Sequence, residues 1–344
     1  MSFAIWDVAI ASESLALAAF AATVGAACFV VTRPPRPRTH LAVGLLAALV
    51  GALARDTNAV LLVVAGVGLV VFVGIQRLRG RRAWRAPVLI GLVVTLAGSG
   101  CLALSSHGRR WYWQTVDLTA IRIVGDNTAR QYFVAHGMPD DAALGRLHTS
   151  YLANVAALDR NDPEYQPFLR WIDRHGRATY DEFLATHPAY LLGKPLSMRS
   201  QIAAPNLGQY GTQLAENVHE NTVIRGLGAL GYAEIPWLRY AVFTIGLVAL
   251  IWLLVSAERR RRASVRFITV LWLLAVPHAL AVYHGDALEL ARHAITLVLQ
   301  LQICVVASIA LAIDEIIVTS RQASLESARP ATFDALDSHP VGSL

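Results

Sequence analysis

The sequence predicts an all-α integral membrane protein with about seven transmembrane helices and a mainly helical extracytoplasmic domain inserted between helices 4 and 5. Three observations carry that prediction. The chain of 344 residues is 55% hydrophobic and only 16% charged, a departure from soluble composition toward the membrane class. Its apolar residues gather into windows that meet or approach the ~20 residues a helix needs to cross a hydrocarbon core about 30 Å thick. Its arginines cluster between those windows instead of spreading over a surface.

The windows fall at about 13–32, 40–54, 58–75, 86–105, 237–256, 265–283 and 289–313. Ahead of the first, "MSFAIWDVAIASES" carries Asp7 and Glu13 and lacks a basic leader and a small-residue cleavage site, so this window reads as a retained helix. The second, "LAVGLLAALVGALA", is short and ends at Arg55 and Asp56, so tilt or partial insertion is expected. Arg33, Arg36 and Arg38 follow the first window, "QRLRGRRAWR" the third and "ERRRRASVR" the fifth. Placing those loops in the cytoplasm by the positive-inside rule puts the N-terminus, Arg55, the middle segment and "YHGDALELARH" outside and the C-terminus inside.

The chain therefore divides into an N-terminal membrane region (1–105, four helices), an extracytoplasmic domain (106–236), a C-terminal membrane region (237–317, three helices) and a cytoplasmic tail (318–344) expected to be disordered. The net charge of +6 does not point to nucleic acid, because the middle segment holds 12 Lys or Arg against 13 Asp or Glu and offers no basic face. Cys28, Cys101 and Cys304 all lie in or beside apolar windows, so disulfides do not staple the domain.

Within the domain, "DPEYQPFLRWIDRHG" predicts a helix with Asp162 as N-cap, Pro163 at the first position and Gly176 as stop. "ATYDEFLATHP" predicts a second, ended by Pro188. His136, beside Gly137, reads as a C-cap. Between Pro195 and Pro236 periodicity fades, and a long loop over the membrane mouth is expected. A domain of this size exceeds what a connection needs. Its bland reading is a cap over the helices or a surface for a protein partner.

Three strings, "RIVGDNTARQYFVAHGMPDDAAL", "FLRWIDRHGRATYDEFLATHPAYLL" and "YHGDALELARHAI", resemble a group of uncharacterised bacterial multi-span membrane proteins akin to the GT-C glycosyltransferases. The resemblance covers roughly 100–300 and matches the later portion of such enzymes. It implies action at the outer face on a sugar carried by polyprenyl phosphate. The family's acidic base in the first external loop has no counterpart in the orientation read above, because Asp7 and Glu13 precede the first helix.

The candidate site gathers at the mouth of the last window. Asp286 can cap that helix while Glu289, three residues on, reaches back. Arg292 and His293 lie a turn deeper, where an unpaired charge costs about 3 kcal/mol, and Glu289 stands at the right spacing to serve both. The functional alternative is that Arg292, with His293 and with Arg55 from "RDTN", grips the phosphate of a lipid carrier. Asp56, Asp286 and Glu289 are then the candidates for the acid that deprotonates an acceptor hydroxyl.

No cofactor is implied. A divalent metal on His284, Asp286, Glu289 and His293 is the variant reading, at a spacing that matches no known signature. The chain has no phosphate-cradling Gly-rich loop, nucleophile elbow or HExxH helix. Asp56 reads first as a cap or a partner of Arg55, and His278, after Pro277, as a histidine bonded to a neighbouring helix. Trp111, Trp113, Trp237 and Tyr240 read as interfacial aromatics. The alternative function is a non-catalytic accessory or structural protein of envelope glycan or lipid assembly.

Overall fold

The computed structural model describes residues 3–32, 37–80, 85–107, 110–199, 236–256, 262–285, 287 and 290–327, and every regular element among them is helical. Seven helices form the apolar part: α1 (Phe3–Thr32), α2 (Pro37–Ala54), α3 (Asp56–Leu78) and α4 (Arg85–His107) before the domain, then α12 (Pro236–Ser256), α13 (Arg262–Gly285) and α15 (Ile295–Ser327) after it. Asp56–Leu78, Pro87–His107, Ala263–Gly285 and Thr296–Ser324 are long and apolar enough to cross a membrane. Leu15–Phe29, Thr39–Ala54 and Tyr240–Ser256 are shorter apolar stretches. The chain is a multi-pass membrane protein whose outward side chains are those a bilayer accepts, among them Leu46, Leu89, Leu96 and Leu273, each more than 60% exposed.

Without a hydrophobic force between helices in lipid, close backbone approach has to bind them. The α3–α4 hairpin supplies it through glycine. A Cβ on Gly66 would fall 2.6 Å from the Gly91 carbonyl oxygen, and one on Gly98 would fall 2.8 Å from that of Ala59. Polar bridges set the register of α13 against α15: His278 Nδ1 lies 2.7 Å from Gln300 Oε1, and Trp272 Nε1 donates to Ser308 Oγ at 3.2 Å.

The domain is built from α5 (Arg110–Leu118), α6 (Asn127–Ala135), α7 (Ala142–Thr149), α8 (Tyr151–Asp159), α9 (Gln166–Trp171), α10 (Arg177–Thr186) and α11 (Pro188–Ser197). Its core includes Ile123, Phe133, Leu147, Ile172 and Phe183, all with 0% exposure. Phe133 sits edge-on to Phe183 at 5.6 Å, a geometry that matches ring edge to ring face. Asp126 and Asp141 cap α6 and α7 by accepting from Ala129 N and Leu144 N. Gly137, at φ +86, turns the chain after α6, with His136 at the C-cap.

Three sequence expectations are corrected by the structure. Gly176 does not stop a helix: α9 runs into α10 through a π-helical turn at Ile172–Gly176. A Cβ at Gly176 would meet Ile172 and Thr115 at 3.1 and 3.2 Å, so the glycine serves close packing. Asp162 caps a turn through Glu164 N, and α9 begins only at Gln166 with Pro167 in its first turn. As expected, α10 ends just before Pro188, and the same proline opens α11 at its first turn, because proline lacks the N–H a first turn leaves unused. The tail expected from 318 is helical through Ser327, since α15 continues past the apolar window. The expected loop at 200–235 lies outside the described residues.

Among the described residues, the helix ends on the domain side converge. The end of α2, the start of α3, the ends of α4 and α13 and the short α14 (Leu290–His293) surround the domain's underside. Arg77 and Arg79, at the other end of α3, lie away from it.

Replacing Gly66 by leucine should force α3 and α4 apart and destabilise the protein by about 1–3 kcal/mol. The thermal midpoint of the detergent-solubilised chain should fall, with the α4 face more open to cysteine-directed labelling.

Candidate functional site

A cavity of about 680 Å³ lies between the domain and the membrane helices, within the range usual for small-molecule sites. Its floor begins where α2 breaks. Arg55 takes an extended conformation, φ −147 and ψ 131, and its carbonyl accepts from Asn58 N and Ala59 N to start α3. This corner sends Arg55 and Asp56 into the same space. Arg55, only 8% exposed, donates through Nη1 to the His293 carbonyl at 3.4 Å. Asp56 is the first residue of α3 and Arg55 stands at its N-cap; the Asp56 Oδ2 accepts from Ser105 Oγ of α4 at 2.6 Å.

The roof comes from α5 and α10, with Trp111, Gln114, Arg177, Tyr180 and Asp181 on the lining. Arg177 and Tyr180 follow directly on the π-helical turn, which shifts the phase of every later side chain relative to a continuous α-helix. Arg177 Nη1 donates to Ser106 Oγ at 3.1 Å, its Nε lies 3.9 Å from Asp181 Oδ2, and its guanidinium stands 6.0 Å from the Trp111 ring. Consecutive serines of α4 thus tie the floor's carboxylate and the roof's guanidinium to one helix end. Partial burial raises the Asp181 carboxyl above its ordinary range, against the opposing pull of Arg177, while 70% of its side-chain surface stays open to water and screens the effect.

The roof is latched to the end of α13. His284 Nε2 lies 3.0 Å from the Leu191 carbonyl, which can only accept, so this nitrogen carries a proton. His284 Nδ1, 2.8 Å from the Tyr180 hydroxyl, is then the acceptor in the neutral ring. Burial, reinforced by the neighbouring Tyr190, pushes the Tyr180 phenol far above its usual range, so its proton stays in place for this bond. Arg122 adds a second tie. It donates to the Tyr283 carbonyl and lies 3.8 Å over the Tyr283 ring. Asp126 joins α6 to α11 through Lys194 Nζ at 2.6 Å. Burial alone would lift the Asp126 carboxyl, but Lys194 and the cap amides outweigh it and hold it below the ordinary range.

Of the residues expected from sequence, the cavity brings together Arg55, Asp56 and His293. Asp286, Glu289 and the side chain of Arg292 lie outside the described residues, and so do the Asp286–Glu289 cap and any pairing of Arg292. Among the described residues no group of three His, Cys, Asp or Glu is placed to hold a metal. His284 spends both ring nitrogens on the domain. Arg177, Tyr180 and Asp181 escaped the sequence reading because their convergence depends on a phase shift that leaves no periodic signal. Trp111, read as interfacial, lines the cavity.

No family model, curated protein or solved structure matches the chain.

Tyr180→Phe should leave His284 Nδ1 without a donor and cost about 1–3 kcal/mol. Hydrogen exchange should speed up in α10 and at the end of α13 while the α3–α4 hairpin stays protected. The Asp126 carboxylate contributes stability above the ordinary aspartate pKa of about 3.9 and loses it as pH falls through its lower folded value. Wild type should therefore lose domain stability below about pH 4 by a step that Asp126→Asn lacks, read as the pH dependence of the thermal midpoint.

Proposed function

We propose that the chain is a GT-C-like membrane protein that receives a polyprenyl-phosphate sugar in this cavity and transfers the glycosyl group at the extracytoplasmic face. The observation that carries the reading is the Arg55–Asp56 corner: a buried guanidinium and a carboxylate, adjacent in sequence, line a roofed space at the ends of membrane helices. Sidedness follows from the arginines. Arg77 and Arg79 of "QRLRGRRAWR" and Arg266 of "ERRRRASVR" lie toward the helix ends remote from the domain, so the positive-inside rule assigns the domain and the N-terminus to the outside and the C-terminus to the cytoplasm.

In the proposed reaction, an acceptor hydroxyl attacks the anomeric carbon and the bond from that carbon to the phosphate oxygen breaks. Asp56 takes the hydroxyl proton as general base. Arg55, with His293 beside it, stabilises the departing lipid phosphate, where a guanidinium gives two parallel hydrogen bonds. Asp56 serves as the acid by its place in the cavity alone, since the family's first-loop base has no counterpart in this chain. Asp286, Glu289 and Arg292 keep the candidate roles that the sequence gives them.

One observation favours the second reading, an accessory or structural protein of envelope glycan or lipid assembly. Arg55 donates to a backbone carbonyl and Asp56 accepts from a serine, a staple that joins three helices without any ligand.

Lipid extracted from the purified full-length protein and identified by mass spectrometry separates the two. The carrier reading expects a polyprenyl phosphate with wild type, reduced roughly 10- to 100-fold in Arg55→Gln for loss of a charge-assisted pair. Asp56→Asn should keep the lipid and lose transfer of a radiolabelled sugar from it. Absence of any polyprenyl phosphate from folded wild type would leave the accessory reading.

A further inference from the structure

One turn along α3 from Arg55, a second cavity of about 150 Å³ lies among α1, α2, α3, α13 and α15. Its walls are nearly all apolar. Phe20, Leu61 and Leu271 meet the small side of α2 at Ala47, Ala48 and Gly51.

Three polar side chains belong to the lining, and two of them already have hydrogen-bond partners. Thr23 donates to the Ala19 carbonyl of its own helix at 2.7 Å. Gln300 gives Nε2 to the Leu271 carbonyl and presents Oε1 to His278, both at 2.7 Å. The third is Asn58, 6% exposed. Its Nδ2 donates to the Gly51 carbonyl at 3.1 Å, which fixes the amide orientation, and its Oδ1 is buried with no hydrogen-bond partner.

An apolar chamber with one unmet acceptor selects its occupant. A lone water needs two to four polar partners and would find few here. A carboxylate or phosphate brings only acceptors, and a bare ammonium pays the cost of charge in a hydrocarbon layer. A hydroxyl on a hydrocarbon satisfies both halves of the wall.

We propose that this cavity is a second ligand site, for the hydroxyl end of a membrane-soluble alcohol that donates to Asn58 Oδ1 and packs its hydrocarbon on Phe20, Leu61 and Leu271. A cavity of this volume takes a body of roughly six heavy atoms, as one of like size takes benzene. The site is separate from the polar cavity and does not depend on the glycosyl-transfer reading.

The experiment is saturation-transfer NMR on the full-length chain in phosphatidylcholine nanodiscs, with empty nanodiscs subtracted. The probes are prenol and 1-pentanol against their hydroxyl-free counterparts, 2-methyl-2-butene and pentane. Wild type should prefer the alcohols by about tenfold, the factor one well-made hydrogen bond supplies. A further preference for prenol over 1-pentanol points to an isoprenoid source, and the reverse to a straight chain.

In Asn58→Leu the alcohol preference should vanish while the thermal midpoint holds or rises, because the unmet acceptor is gone. Ala48→Phe should fill the chamber and abolish binding of all four. Equal binding of alcohol and hydrocarbon to wild type would overturn the proposal, as would a preference that survives Asn58→Leu or binding that survives Ala48→Phe. Should Asn58→Leu fail to fold, the wild-type ratio and Ala48→Phe decide. Arg55→Gln, which tests the lipid-phosphate reading, should leave the alcohol preference intact.

Discussion

The site depends on the latch between Tyr180, His284 and the Leu191 carbonyl. A histidine at the end of a membrane helix has two nitrogens to satisfy, and here both partners come from the domain. One is a carbonyl that can only accept and the other a phenol whose proton burial keeps in place. This polarity ties α10 and α11 to α13. With Arg122 over Tyr283, it makes the helical domain the roof of a cavity.

That roof changes what the floor residues can do. At an open membrane surface, Arg55 and Asp56 would be screened by water and counter-ions. Under the domain, Arg55 is nearly excluded from solvent, and each charged group carries a directed contact: Arg55 to the His293 carbonyl, Asp56 to Ser105, Arg177 to Ser106. Preorganised polar groups in a space of low dielectric act more strongly on a developing charge than the same groups in water. The helices below are held by a different device. Glycines bring α3 and α4 into backbone contact, and the His278–Gln300 and Trp272–Ser308 bonds align α13 with α15.

Part of the site was legible in the sequence. Arg55 and Asp56 interrupt an apolar stretch, and an interruption by charge at the end of a hydrophobic window is visible without coordinates. His293 belonged to a dense ionisable cluster between two apolar runs. Arg177, Tyr180 and Asp181 were not legible, because they sit in an ordinary amphipathic segment whose glycine looked like a stop. Gly176 instead admits close packing against Thr115 within a π-helical turn. Asn58 gave no warning either, since an asparagine beside a helix start reads as turn chemistry until its amide oxygen is seen to lack a donor.

The sequence by itself determined the helical class and the apolar segments. These depend on composition and on windows of about 20 residues matched to the thickness of a bilayer, quantities local to the chain. Only the tertiary structure decided which charges face one another, that Trp111 lines a cavity, and that the domain is fastened through histidine and tyrosine. Those outcomes join residues far apart in the chain, such as Asp56 with Ser105 and Tyr180 with His284. They turn on helix phase and the direction of single hydrogen bonds, which no local pattern of hydrophobicity records.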